Sequence, residues 1–150
     1  MKDVPDTPAE LKARALRALV RREHSRLELA RKLASFAEST EILQCVLDEL
    51  ESKKQLSNER FAEQRAHVLS RKFGAAKIRQ DLKGKGIADD VVDRVSPEGE
   101  LERARAILER KYRQPATTRE ELAKRMRFLQ GRGFSHDVVR QLIPLSEVSK

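Results

Sequence analysis

One eleven-residue pattern occurs twice in this chain and limits what it can fold into more than any other feature. Leu82-Lys83-Gly84-Lys85-Gly86-Ile87-Ala88-Asp89-Asp90-Val91-Val92 and Leu129-Gln130-Gly131-Arg132-Gly133-Phe134-Ser135-His136-Asp137-Val138-Val139 share one template. Both read leucine, any residue, glycine, base, glycine, apolar, small, any residue, aspartate, valine, valine. A glycine just past the last helical turn supplies a left-handed cap. The apolar residue after it packs inward, and a short helix beginning near the aspartate returns. A second match sets Glu28-Leu29-Ala30-Arg31-Lys32-Leu33 against Glu121-Leu122-Ala123-Lys124-Arg125-Met126. Similar amphipathic helices can resemble one another by chance, but fixed residue types at most of these positions argue for a repeat.

Helix starts are legible around these matches. Thr7-Pro8-Ala9-Glu10 places a capping threonine, a proline at the first helical position and a glutamate three residues after the cap. Ser25 with Glu28 and Thr117 with Glu120 repeat that box, and Ser57, Ser96 before Pro97, and Ser135 are further N-caps. Apolar residues then recur at helical spacing: Leu11, Ala15, Leu16 and Leu19; Ile42, Leu43, Val46, Leu47 and Leu50; Leu101, Ala104, Leu108 and Tyr112. No stretch alternates at period two. These signals predict an all-α fold of eight or nine short helices grouped in threes. The repeats are expected over 9–56, 57–95 and 97–143, with flexible termini at 1–8 and 144–150. Each is too small to bury much apolar surface alone, so the three helix-turn-helix-like units stack into an elongated, curved body. The first unit lacks the Gly-basic-Gly turn and runs Phe36-Ala37-Glu38-Ser39-Thr40 instead.

Composition narrows the class. No apolar run approaches the roughly 20 residues that span a bilayer, and the start lacks the apolar core of a signal peptide. The single Cys45 permits no intramolecular disulfide and fits a reducing cytoplasm. The 32 Lys and Arg against 24 Asp and Glu leave a net charge of +8, which by itself is as easily a solubility feature as a binding one. Position decides more than the total. Residues 12–32 hold eight bases and two acids, 65–85 seven bases and only Asp81, and 103–132 ten bases and three acids. Acidic residues collect between these blocks.

Catalytic constellations are missing from the pattern. His24, His67 and His136 fall one per unit without metal-ligand spacing, and read as solvated or packing residues. Cys45 falls on the apolar stripe of a helix and reads as a buried structural thiol. Gly84-Lys85-Gly86 and Gly131-Arg132-Gly133 lack the spacing and preceding strand of a phosphate loop and read as helix-ending turns. The acidic clusters read as solvated ion pairs. The chain is expected not to be an enzyme, and to use no cofactor or metal.

The basic residues are the candidate site. Arg71, Lys72, Lys77, Arg79, Lys83 and Lys85 lie on two successive helices and their turn; Arg119, Lys124, Arg125, Arg127 and Arg132 take the equivalent place in the third unit. Such a face attracts phosphates with a strong salt dependence, could equally meet an acidic protein surface, or could simply be solvated. The six aromatic residues, Phe36, Phe61, Phe73, Tyr112, Phe128 and Phe134, read mostly as core, which argues against base stacking.

Leu56-Ser57-Asn58-Glu59-Arg60-Phe61-Ala62-Glu63, then Arg71-Lys72-Phe73-Gly74, then Ile78 through Ile87, resembles the central signature of the RecX regulatory family. Ser25 through Leu33 resembles that family's first repeat, and Arg125-Met126-Arg127-Phe128-Leu129 through Gly133-Phe134-Ser135 its third, so the likeness covers residues 10–143. The resemblance implies three tandem three-helix repeats and a cytoplasmic modulator of RecA, the recombinase that polymerises on single-stranded DNA. It implies a monomer that lodges in the filament groove, with weak contact to single- or double-stranded DNA, and that inhibits extension, strand exchange and coprotease activity. No family motif transfers individual contact residues; those named above come from charge. The alternative is a stand-alone DNA-binding protein using the basic faces of the second and third repeats.

Overall fold

The computed structural model describes residues 4–144. Among these, nine α-helices and one 3₁₀ turn follow one another, and there is no strand. They are α1 (Pro8–Arg21), α2 (Arg26–Leu33), the 3₁₀ turn (Ala34–Phe36), α3 (Thr40–Ser52), α4 (Asn58–Leu69), α5 (Ala75–Gly84), α6 (Asp89–Val92), α7 (Glu100–Lys111), α8 (Arg119–Gly131) and α9 (His136–Leu142). The chain divides into two compact units, one running to residue 65 with 82–91, the other made of 66–81 and the chain from 92 onward. The segment expected as the second repeat, 57–95, contributes to both.

Side-chain caps set most of the helix starts. Thr7 Oγ1 accepts the Glu10 N–H at 3.1 Å while Glu10 accepts the Thr7 N–H at 2.9 Å. Ser25 and Glu28 form the same reciprocal pair. Ser39, Ser57 and Ser135 each accept the N–H three residues on. Two expected caps differ. The cap of α8 is Thr118, whose hydroxyl accepts from Glu121, while Thr117 donates its own N–H to the Glu121 carboxylate. Helix α7 does not begin at Pro97: Ser96 accepts the Glu98 N–H in a short turn, and Gly99 at φ 77° opens the helix at Glu100. The left-handed residue is what delays the start.

In the first unit, α1, α2 and α3 pack on one another around Leu11, Ala15, Leu29, Leu33, Leu47 and Leu50, all fully buried. Each such leucine contributes about 1.5–3 kcal/mol relative to an exposed one. Cys45 is not in this core. It is exposed, because one residue is about 100° around a helix and Val46 already takes the buried side of α3. His24 packs instead of facing solvent: it is 1% exposed, and its Nδ1 donates to the Arg22 carbonyl at 3.0 Å. Burial pushes its pKa below the ordinary value.

Charged residues of this unit tie its helices together. Arg26 on α2 pairs with Asp48 at 2.7 Å and with Glu51 on α3. Glu49 accepts from Lys12 at 2.8 Å and Lys53 at 3.0 Å, which brings its pKa down to about 2. Within 1–8, read from sequence as a loose terminus, Asp6 is 1% exposed. It donates its N–H to Phe36 O at 2.9 Å and pairs with Arg14, whose guanidinium lies 3.6 Å over the Phe36 ring. The glycine-free connection between α2 and α3 is therefore held by the segment before α1. Expected features at 1–3 and 145–150 lie outside the described residues.

In the second unit, α7, α8 and α9 enclose Ala104, Ile107, Leu129, Phe134, Val139 and Ile143. The two glycines of each repeated turn play different parts. Gly84 and Gly131 are still helical, and a Cβ there would meet nothing. Gly86 and Gly133 carry the positive φ, 79° and 89°. A Cβ on Gly133 would fall 2.5 Å from Lys77 Cβ and 2.6 Å from its nitrogen, on the first turn of α5. A Cβ on Gly86 would fall 2.9 Å from Leu27, on the first turn of α2. Each turn is thus glycine both for its conformation and because a helix start sits against it.

Candidate functional site

Eleven basic residues form the sequence-derived site, and the structure brings only some of them together. Arg71 and Lys72 lie in the turn that follows α4, and Arg132 caps the end of α8. These three line one groove of the second unit, about 450 Å³ in volume, over a floor of Ile107 and Phe128. Lys77 lies beside it, its ammonium 5.9 Å over the Phe73 ring and 3.4 Å from the Gly131 carbonyl.

Arg79 serves the fold, since its guanidinium donates to the Val95 carbonyl at 2.6 Å. Arg125 stacks over Tyr112 at 4.5 Å and donates to Gln114 O at 2.7 Å. Arg119, Lys124 and Arg127 are exposed on α8, with Lys124 and Arg127 turned about 100° or more around the helix from Arg125. Lys83 and Lys85 belong to the first unit.

Two groove cations were missed from sequence: Arg110 and Lys111, at the end of α7. The signal was present, since they stand three and four positions after Ile107, the helical spacing that puts them on the side of α7 bearing the floor residue.

Local bonds fix the rim. Arg110 Nη2 donates to the Arg71 carbonyl at 3.1 Å, and Arg132 Nη1 donates to the Lys72 carbonyl at 3.1 Å. Each anchored guanidinium keeps further N–H donors for a ligand. The Arg132 guanidinium also lies 5.0 Å from the Phe128 ring centre and 5.4 Å from that of Phe73, and Lys111 Nζ lies 5.5 Å over Phe128. Tyr112 meets Phe128 edge-on, 5.9 Å between centroids at 88°. None of the five rim cations is ion-paired among the described residues, whereas Lys12, Arg14, Arg22, Arg26, Lys53 and Arg60 of the first unit are. Two like charges about 4 Å apart repel by roughly 1 kcal/mol even in water, so a cluster of cations without a carboxylate among its lining residues is a candidate site for an anion.

Among the described residues no group of three or more His, Cys, Asp or Glu is placed to hold a metal ion, and no helix is long and apolar enough to cross a membrane.

Tandem trios of short helices with one unpaired cationic groove define a class of all-helical, repeat-built proteins. Family models for the second and third three-helix domains of RecX match residues 57–95 and 98–143. Regulatory protein RecX of Ralstonia nicotianae is 44% identical over 143 residues, covering 93% of this chain and 90% of that protein. Its counterpart in Herbaspirillum seropedicae is 44% identical over 141 residues, 92% of each. The crystal structure of RecX from Lactobacillus salivarius has the same fold, with a TM-score of 0.77 at 20% identity over 91% of this chain and 94% of that one. The chain belongs to the RecX family of regulatory proteins.

Proposed function

We propose that this protein regulates RecA by binding its filaments on single-stranded DNA and inhibiting their extension, strand exchange and coprotease activity. The observation that carries the reading is the match to proteins named Regulatory protein RecX along more than nine-tenths of the chain. The basic groove of the second unit supports it, since a filament on DNA offers both acidic protein surface and phosphate. On this reading the protein acts as a cytoplasmic monomer without catalysis or cofactor, through three repeats over 9–56, 57–95 and 97–143. The test is electron microscopy of RecA filaments growing on circular single-stranded DNA. Shorter filaments at substoichiometric protein are expected; unchanged length contradicts the reading.

The unpaired groove cations also favour a second reading, direct DNA binding without RecA. It requires tight binding to bare DNA whose affinity falls steeply with salt. Measured in the absence of RecA, weak binding at physiological salt is expected here.

A further inference from the structure

The groove has a basic rim and an apolar floor, and the two call for different parts of one ligand. We propose that it receives an acidic peptide segment carrying one bulky apolar side chain. The inference rests on the preceding reading only in taking the partner to be a protein. Five cations without a carboxylate supply the attraction. Arg110 and Arg132 are held by backbone carbonyls before any ligand arrives, so little side-chain entropy is lost when they take a carboxylate. The volume of about 450 Å³ lies within the range of small ligand sites, about 300–1,000 Å³. Ile107 beneath the groove is already buried, but the exposed part of half-buried Phe128 would be left wet by a ligand with charge alone.

The same geometry disfavours a nucleic-acid strand. Base stacking needs a free aromatic face. Arg132 and Lys111 both lie over Phe128, Arg125 lies over Tyr112, and Arg132 and Lys77 lie over Phe73. A base would have to displace one of these cations to stack flat on a ring, whereas the groove between them admits a single side chain. Carboxylates can meet the rim while an apolar side chain enters between them; a sugar-phosphate backbone has nothing for the floor.

The test is fluorescence anisotropy on the full chain with three labelled probes: a short Glu/Asp peptide with a central Phe, the same peptide with Ser, and an oligo-dT of similar charge. The Phe peptide is expected to bind about tenfold more tightly than the Ser peptide, which corresponds to about 1.4 kcal/mol. Arg71→Glu with Lys111→Glu should abolish its binding at unchanged helicity. Lys111→Ala, at an exposed side chain without a backbone bond, should weaken it and serves if the double reversal misfolds. Equal binding of the two peptides, oligo-dT displacing the Phe peptide at equal concentration, or binding indifferent to these substitutions overturns the proposal. RecA ATPase measured alongside separates the two ideas: inhibition that survives without peptide binding removes the groove's role and leaves the RecA reading, whereas peptide binding without inhibition does the reverse.

Discussion

Glu100, the first residue of α7, accepts the backbone N–H of Ala75, the first residue of α5, at 2.6 Å across 25 positions of sequence. Asn58, the first residue of α4, does the same for Arg26, the first residue of α2, at 2.8 Å across 32 positions. The first N–H groups of a helix have no partner within it, and here another helix start supplies one. The glycine contacts follow the same rule. The first turn of α2 receives Asn58 and Gly86, and the first turn of α5 receives Glu100 and Gly133. One joint is therefore built twice, with a different acceptor each time.

Removing that acceptor should be costly. Glu100 is 4% exposed, so Glu100→Ala leaves a buried N–H unsatisfied, which costs about 1–3 kcal/mol. Glu100→Gln keeps an acceptor oxygen and should lose less. Urea unfolding midpoints check the order, and amide exchange at Ala75 should accelerate only in the alanine variant.

The paired glycines should part company on substitution. Gly131→Ala and Gly84→Ala meet open space inside a helix, so each should be neutral or stabilising by up to about 1 kcal/mol. Gly133→Ala puts a methyl group into the Lys77 backbone at positive φ and should lower the melting temperature clearly. Gly86→Ala meets the flexible Leu27 side chain and should fall between. Equal melting temperatures for Gly131→Ala and Gly133→Ala would show that the close approach is not what demands glycine.

Acid should weaken the first unit through His24. Its folded pKa is lowered by burial, so this stability contribution is complete above the unfolded value of about 6.5 and is lost as pH falls below it, because the unfolded chain then binds the proton first. Glu49, lowered to about 2 by Lys12 and Lys53, acts in the same direction at lower pH, below the ordinary carboxylate range. Melting temperatures at pH 7.5 and 5.5 should differ in the natural protein. His24→Asn keeps a donor for the Arg22 carbonyl and should flatten the difference; an unchanged slope would remove His24 as its source.

Local chemistry was the legible part of this fold. Thr7, Ser25 and Ser135 announced their helices because a cap and its partner lie three residues apart. Leu43, Val46, Leu47 and Leu50 announced the buried side of α3 by spacing alone. Cys45 was misjudged because it neighbours that stripe without belonging to it. Thr117 gave way to Thr118 because both can cap and only the three-dimensional path of the chain decides. Glu100 was unreadable as an acceptor, since nothing near it names Ala75. The site was half legible for the same reason. Charge identified Arg71, Lys72 and Arg132, but packing of α7 against α8 was needed to add Arg110 and Lys111 and to set Lys124 and Arg127 apart.

The RecA reading stands or falls on RecA's DNA-dependent ATP hydrolysis, titrated with this protein and with its Arg71→Glu, Lys111→Glu variant. Substoichiometric natural protein should lower the rate, and the variant, equally helical, should require about tenfold more for the same effect. An ATPase rate unmoved by the natural protein at any ratio would contradict it.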